Sequence, residues 1–195
     1  ELRLFWRSRL VFFFFMYSFL FVFGTPKVYA STTYYARITN DNTHLYIAPE
    51  ENPNCAIFIL PKTYFVELIS SSDNFFYAKY KDIYGYVKKN EVQVVSTNPI
   101  TPFLSNISFR VFTPSGANLR STPQNLGSTN LVYSIPFLET NLEYYGEILG
   151  EEAISKKGCT WYYCKYFINN LSYMGYLYAP LCDLLPSLPQ NTEII

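Results

Sequence analysis

Few side chains in this sequence of 195 residues have the chemistry of a catalytic or metal-binding group. His44 is its single histidine, and it follows the polar turn at residues 40–42. Hydrolases with a serine or cysteine nucleophile need a base positioned beside it, and neither a cysteine nor a Gly-x-Ser-x-Gly segment lies near His44. One histidine also leaves no mixed Cys/His zinc site of ordinary spacing. We interpret His44 as a surface turn residue, and we expect no metal and no cofactor.

Paired carboxylates are the next candidates, because a glycosidase needs two of them at a fixed separation in a cleft. Glu151 and Glu152 are adjacent, but they lie in the segment Tyr145–Gly158, which also contains three glycines and the pair Lys156-Lys157. Such a segment is a poor platform for acid–base catalysis, so we interpret the two acids as solvated loop residues. The sequence therefore predicts a protein that is not an enzyme.

Aromatic side chains are the feature with functional promise. The chain has 19 tyrosines, 17 phenylalanines and two tryptophans, whereas only about half of the side chains of a strand can face a core. Rings left on the surface can stack on sugars or anchor peptides at little entropic cost. The alternative is that each tyrosine packs its ring and keeps its hydroxyl in water. The predicted ligand-binding residues are Tyr46, Phe75, Tyr80, Tyr86, Trp161, Tyr166 and Tyr176.

Most of these rings belong to a cassette that occurs twice. The first copy is Phe75–Tyr80 followed by Gly85–Val87, and the second is Trp161–Tyr166 followed by Gly175–Leu177. Each copy combines an aromatic-rich strand, a polar turn and a second strand entered through Gly-Tyr, which is typical of a β-hairpin. No segment after residue 30 has apolar residues at i, i+3 and i+4 over several turns. The sequence therefore predicts an all-β protein.

Other signals repeat in the same order. Leu45–Pro49 and Leu119–Pro123 share a Leu-x-x-x-Pro spacing, and Leu60-Pro61 corresponds to Ile135-Pro136. Short strands separated by turns commonly close into small barrels that hide their edges, so the duplication predicts two tandem barrels. The second copy carries the inserted segment Tyr145–Gly158, which we expect to be an elongated loop or an added hairpin. The predicted boundaries are residues 1–30 for a signal peptide, 34–96 for the first domain, 97–107 for a linker, 108–186 for the second domain and 187–195 for a tail.

The first 30 residues have the three parts of a secretory signal peptide. Three arginines begin it, Leu10–Phe23 is an apolar run, and Val28–Ala30 provides a cleavage site before Ser31. An uncleaved membrane anchor is the alternative, although a spanning helix needs about 20 apolar residues. We expect a secreted or cell-envelope protein that contacts the membrane only before cleavage. Without residues 1–30 the chain keeps 11 basic and 14 acidic side chains, which gives no basic surface for nucleic acid.

The order of these signals resembles the bacterial SH3 (SH3b) domain, and in particular the secreted, doubled SH3 domain-containing proteins of Clostridia-type bacteria. The segment Gly85–Val92 is similar to the closing strand and 3₁₀ turn of that barrel, and the resemblance extends over residues 34–185. Lys88 and Glu91 stand where eukaryotic SH3 domains have the proline and tyrosine of the peptide groove, so binding of PxxP peptides is not expected. The resemblance implies a wall-targeting or peptide-binding module.

Together, these observations predict a non-catalytic exported binding module. Its expected ligand is peptidoglycan or another cell-wall component, recognised through aromatic grooves. The alternative is a module that docks an exported protein partner. A function specific to the second copy is expected in Tyr145–Gly158, because the two copies diverge there.

Four cysteines follow the signal segment, so disulfides are possible after export. In the repeat, Cys164 takes the position of Ala78 and Cys182 falls near that of Val92, and both are expected core positions. A free cysteine packs as a small hydrophobic residue, whereas the two thiols could also face each other and bond. We favour reduced core cysteines, because the isolated Cys55 argues against a planned disulfide framework.

Overall fold

Antiparallel strands joined by short turns build this protein, whose computed structural model describes residues 33–105, 107–151 and 158–185. The strands of the first half are β1 (Tyr34–Ile38), β2 (His44–Tyr46), β3 (Ala56–Ile59), β4 (Phe65–Ser71), β5 (Phe75–Tyr80), β6 (Ile83–Lys88) and β7 (Val92–Val95). Those of the second half are β8 (Ser108–Val111), β9 (Ala117–Arg120), β10 (Leu131–Ile135), β11 (Leu142–Glu151), β12 (Gly158–Ile168), β13 (Leu171–Tyr178) and β14 (Cys182–Leu185). Short 3₁₀ turns, but no α-helix, accompany them in the described residues, so the predicted all-β class is confirmed.

The two halves share most of their strand pairings, although the pairing of β1 with β4 has no counterpart between β8 and β11. In the first half, β1 pairs with β4 and β7, β2 with β3 and β6, and β5 with β4 and β6. In the second, β8 pairs with β14, β9 with β10 and β13, and β12 with β11 and β13. A further pairing places Glu147 of β11 opposite Ile59 of β3 and joins the halves in a 12-stranded antiparallel sheet. The internal repeat inferred from the cassette is thus present in the backbone pairing.

Alternation along each strand sends every second side chain into a core that both halves share. Ala78 and Tyr80 of β5 are fully buried, and so are their equivalents Cys164 and Tyr166 of β12. All four belong to one continuous hydrophobic cluster. Residues Thr33–Ile195 accordingly form one compact unit, and the predicted division into two domains stays a prediction.

Each Gly-Tyr strand needs its glycine because a neighbouring strand comes very close. A Cβ atom on Gly85 would lie 2.7 Å from the carbonyl oxygen of Tyr46, and one on Gly175 would lie 2.5 Å from that of Arg120. Both distances are shorter than a van der Waals contact, so a larger residue would push β2 or β9 away. The recurring glycine of the cassette therefore marks the point where β6 and β13 accept a crossing strand.

The inserted segment of the second half lengthens an existing hairpin. β11 and β12 have 10 and 11 residues, whereas their equivalents β4 and β5 have seven and six. The end of β11 is held by the backbone N–H of Glu151, which donates to the carbonyl of Pro123 at 2.9 Å. Of the two alternatives for this segment, the described part is therefore hairpin, while residues 152–157 lie outside the described residues.

The segment predicted as a linker, residues 97–107, packs against the first half. The backbone N–H of Phe65 donates to the carbonyl of Pro102 at 2.9 Å. Leu104 is fully buried, and the ring of Phe103 lies 5.5 Å from that of Tyr80. These apolar residues give the segment core contacts in addition to its role as a connection. The predicted signal peptide (1–30) and tail (187–195) lie outside the described residues.

Cys164 and Cys182 differ in how deeply they are buried. Cys164 is fully buried, which confirms its predicted core position, and Cys182 is half-buried against the same cluster. Burial raises the pKa of the Cys182 thiol to about 12. All four thiols are free in the described residues, and their redox state in solution stays a prediction.

Candidate functional site

A cleft of about 510 Å³ opens at one end of the first half. Three segments surround it, namely the loop after β2, the turn between β4 and β5, and the 3₁₀ turn that follows β6. Its lining combines one aromatic ring with charged and amide side chains: Pro49, Glu50, Glu51, Asp73, Asn74, Phe75, Lys88, Lys89 and Asn90. Most of these side chains are polar, so the cleft offers hydrogen-bond and charge partners around the single ring of Phe75.

Lys88 and Lys89 hold the three walls of the cleft together. Lys88 forms ion pairs with Glu51 of the loop after β2 and, at 3.2 Å, with Glu91 of the 3₁₀ turn. The backbone N–H of Lys89 donates to the carbonyl of Asn74 at 3.0 Å. Burial alone would lower the pKa of Lys88, but hydrogen bonds to Glu51 and Glu91 raise it above its ordinary value. Lys88 is therefore charged, and its ion pairs link two walls of the cleft.

A row of tyrosines leads away from the cleft along the outer face of β5 and β6. Tyr77 pairs across the strands with Tyr86, and Lys79 pairs with Tyr84. The ring centroid of Tyr77 lies 6.0 Å from that of Tyr84 and 5.1 Å from that of Tyr86. We call these four residues the tyrosine face. Because side chains two positions apart share a face, it continues into Phe75, which lines the cleft.

Three of the seven predicted ligand-binding residues meet at this place. The rings of Tyr46 and Phe75 pack edge to face with their centroids 6.0 Å apart, and Tyr46 pairs with Tyr86 across β2 and β6. Tyr46 and Phe75 are nevertheless largely buried, and Tyr86 is half-buried. Of these three residues, Phe75 is the one that lines the cleft.

The other four predicted residues do not join them. Tyr80 and Tyr166 lie in the shared core, and burial raises the pKa of Tyr166 to about 12. Trp161 and Tyr176 are buried in a small cluster of the second half. All four rings are buried, which agrees with the alternative that the rings pack, and their assignment as ligand-binding residues stays a prediction. Tyr80 and Tyr166 occupy inward positions of their strands, while Trp161 and Tyr176 lie on an outer face that is covered.

The strand β3 of the first half helps to cover that outer face. Phe58 stacks on Tyr163 with the ring centroids 5.1 Å apart, and the Tyr176 hydroxyl donates to the carbonyl of Ile57 at 2.9 Å. Glu147 completes the contact by pairing with Ile59. The two halves are thus joined through the outer surface of the second cassette.

Polar side chains surround this contact. The Tyr145 hydroxyl donates to Asp82 Oδ1 at 2.6 Å, and Lys165 forms an ion pair with the same carboxylate. Lys81 donates to Glu143 Oε1 at 2.9 Å. Burial and the hydrogen bond to Asp82 raise the pKa of Tyr145, so its hydroxyl remains a donor. For Asp82, burial alone would raise the pKa, but the bonds from Lys165 and Tyr145 lower it.

The predicted ligand-binding residues do not include Tyr77 and Tyr84, although a signal for them was present. Counting by twos from Phe75 gives Tyr77 and Lys79 on one face and leaves Tyr80 on the other. The same rule applied to β6 selects Tyr84 with Tyr86. Strict alternation would have replaced Tyr80 by the half-buried Tyr77 and the exposed Tyr84.

Comparisons with known proteins add a distant likeness. No protein-family model matches the chain, and no curated protein sequence does. Among solved structures, NlpC2 and NlpC1 of Trichomonas vaginalis are similar to it at 14% sequence identity and a TM-score of 0.31. The matches cover 80% and 83% of this chain, which spans 49% of the length of each of those proteins.

Two further classes of site were sought in the described part of the chain. It contains no group of three or more histidine, cysteine or carboxylate side chains placed to hold a metal ion. Nor does any helix in residues 33–105, 107–151 and 158–185 have the length and apolar character needed to cross a membrane.

Proposed function

We propose that the protein is an exported, non-catalytic binding module made of two SH3b-like units, and that it recognises peptidoglycan or another cell-wall component. The observation that carries the proposal is the cleft of the first half, enclosed by a strand-connecting loop, a tight turn and a 3₁₀ turn. The recurrence of most strand pairings in both halves supports the doubled architecture. The basic and apolar character of residues 1–30 supports export.

The lining of the cleft suits a ligand with both charges. Glu50, Asp73 and Lys89 line the cleft beside Phe75, and the Lys89 ammonium lies over the ring of Phe76, 5.2 Å from its centroid. A short wall peptide carries free amines and carboxylates that can pair with these groups. None of the lining residues is a serine, cysteine or histidine, so the arrangement favours binding over nucleophilic catalysis.

Retention on purified cell walls tests this proposal. The purified protein is expected to sediment with walls at low salt, and Asp73→Lys is expected to weaken retention about tenfold by reversing a charge of the cleft. Lys62→Glu is the matched control, because it reverses an exposed charge that does not line the cleft. The cleft would be rejected as the wall-binding site if both variants lost retention, or if the wild type was not retained on walls at all.

Docking of an exported protein partner is the second candidate, and the extended hairpin favours it. Leu149 lies near the end of β11 and is 71% exposed, which is a large exposed fraction for an apolar strand residue. Leu149→Ser is expected to abolish capture of such a partner while leaving retention on walls unchanged. The opposite pattern would exclude the hairpin as a docking surface.

A further inference from the structure

One surface occurs twice in this protein and has two different neighbours. Tyr77 pairs with Tyr86 in the first half, as Tyr163 pairs with Tyr176 in the second. In the second half β3 lies over this surface. In the first half β2 pairs with β6 at Tyr86, but among the described residues no ring stacks on Tyr77 as Phe58 stacks on Tyr163 apart from its neighbours Tyr84 and Tyr86, and Tyr84 is 50% exposed. The tyrosine face is therefore the uncovered copy of a surface that elsewhere makes a tight contact.

A strand cannot cover the tyrosine face in the way that β3 covers its copy. That contact depends on Gly146, where a Cβ atom would lie only 2.4 Å from the carbonyl oxygen of Ile59. Gly146 follows a bulge and pairs with Tyr163, and the equivalent residue after the matching bulge is Ser70, which pairs with Tyr77. The side chain of Ser70 blocks the same close approach of a backbone. A second copy of this chain is therefore a poor occupant, and a flat ligand without a broad backbone fits better.

The chemistry of the tyrosine face favours a neutral ligand. The planes of Tyr77 and Tyr84 are inclined by 25° and those of Tyr77 and Tyr86 by 45°, so the apolar surface consists of two nearly parallel rings and one tilted ring. Its cation, Lys79, lies 4.0 Å from the carboxylate of Glu67 and 5.6 Å from the ring centroid of Tyr84. Because that positive charge is balanced locally, the face offers little attraction to a charged group.

A pyranose ring matches such a platform. Its C–H face is flat and apolar and can stack on a tyrosine, while its hydroxyls exchange hydrogen bonds with the tyrosine hydroxyl, which donates and accepts. Tyrosine is also ordered at low entropic cost, because it has few rotatable bonds. From Lys79 to Phe75 the strand rises about 13 Å, which suits a short oligosaccharide running towards the cleft.

We propose that the tyrosine face binds a neutral glycan as a row of pyranose rings stacked on Tyr77, Tyr84 and Tyr86. This inference rests on the proposed recognition of wall material and assigns its sugar part to the tyrosine face and its charged part to the cleft. Neither assignment requires the second half, whose equivalent surface is covered.

Titration with a chito-oligosaccharide, the tetramer of N-acetylglucosamine, tests the inference by isothermal calorimetry on the purified protein. Tyr84→Ala is expected to weaken binding about tenfold, as removal of a central stacking residue does, while Tyr84→Phe keeps most of the affinity. Tyr34→Ala is the matched control, because Tyr34 is an exposed tyrosine of β1 outside the tyrosine face. Both positions are exposed, so neither change is expected to disturb folding.

The outcomes separate this inference from the proposed function. If the wild type does not bind the tetramer but still sediments with walls, the glycan site is overturned and the proposed function stands. If the protein binds the tetramer and Tyr84→Ala weakens it, yet walls are not retained, the glycan site stands and wall recognition fails. Equal weakening by Tyr34→Ala and Tyr84→Ala would also overturn the glycan site, because the tyrosine face would then have no special role.

Discussion

The contact between the two halves should be sensitive to a single methyl group at Gly146. A Cβ atom there would lie 2.4 Å from the Ile59 carbonyl oxygen and 2.5 Å from Cδ2 of Phe58, whereas ordinary contact begins at 3.4 Å. In Gly146→Ala, β3 and β11 must therefore move apart by about 1 Å. Phe58 cannot yield freely, because it also contacts Tyr163 and Tyr145.

Two opposing contributions determine how far Gly146→Ala lowers the free energy of unfolding. Overpacking of a well-filled contact costs about 1–3 kcal/mol, while replacing glycine by alanine restricts the unfolded chain and returns about 0.4–1 kcal/mol. The free energy of unfolding should therefore fall by about 1–2 kcal/mol in Gly146→Ala. In a unit of this size that corresponds to a decrease in Tm of about 2–8 °C.

Thermal and denaturant unfolding of the purified protein measure this change. Gly158→Ala is the control, because a Cβ atom at Gly158 meets nothing within 4 Å, and its stability should equal or slightly exceed that of the wild type. The reasoning would be refuted if Gly146→Ala unfolded at the wild-type temperature. It would also be refuted if both variants lost the same stability, because the effect would then not come from the contact with β3.

Two further predictions concern titratable groups. Hydrogen bonds from Lys165 and Tyr145 lower the pKa of Asp82 in the folded protein, so their stabilisation is present above about pH 4 and is lost as the pH falls through that lowered pKa. Asp82→Asn should therefore lower the free energy of unfolding near pH 7 and change it little near pH 2. The exposed control Asp41→Asn should not show this pH dependence. A difference between Asp82→Asn and the wild type that stays constant across pH would contradict the prediction. Thiol titration in denaturant should detect all four cysteines as free thiols. Without denaturant, Cys164 should react last because it is fully buried. An absence of free thiols would contradict the prediction.

The sequence allowed prediction of the features that depend on neighbouring residues. Period-two patterns of aromatic residues indicate strands, and the repeated cassette places Cys164 in the core because it aligns with Ala78. The same pattern was not applied strictly enough to distinguish outward Tyr77 from inward Tyr80. Here the sequence contained the information needed to tell the outward ring from the buried one.

The contact between the halves could not be predicted in this way. It brings Gly146 against Ile59 and Tyr176 against Ile57, pairs separated by 87 and 119 residues. Nothing in the local spacing of either segment identifies the other as its partner, since the choice depends on how two folded surfaces fit. The cleft likewise depends on three loops that meet only after the strands have paired.

The covering of one tyrosine surface by β3 has a consequence for valency. A duplicated module ordinarily offers two equivalent sites, and binding both to one polymer strengthens attachment by roughly 100- to 10,000-fold through effective concentration. Here the second copy of the surface serves as an internal joint, so a single chain presents one. If the tyrosine face binds a glycan as proposed, attachment to a repetitive polymer gains no avidity from the second copy of this surface, and each chain should exchange rapidly along the polymer rather than remain fixed to it.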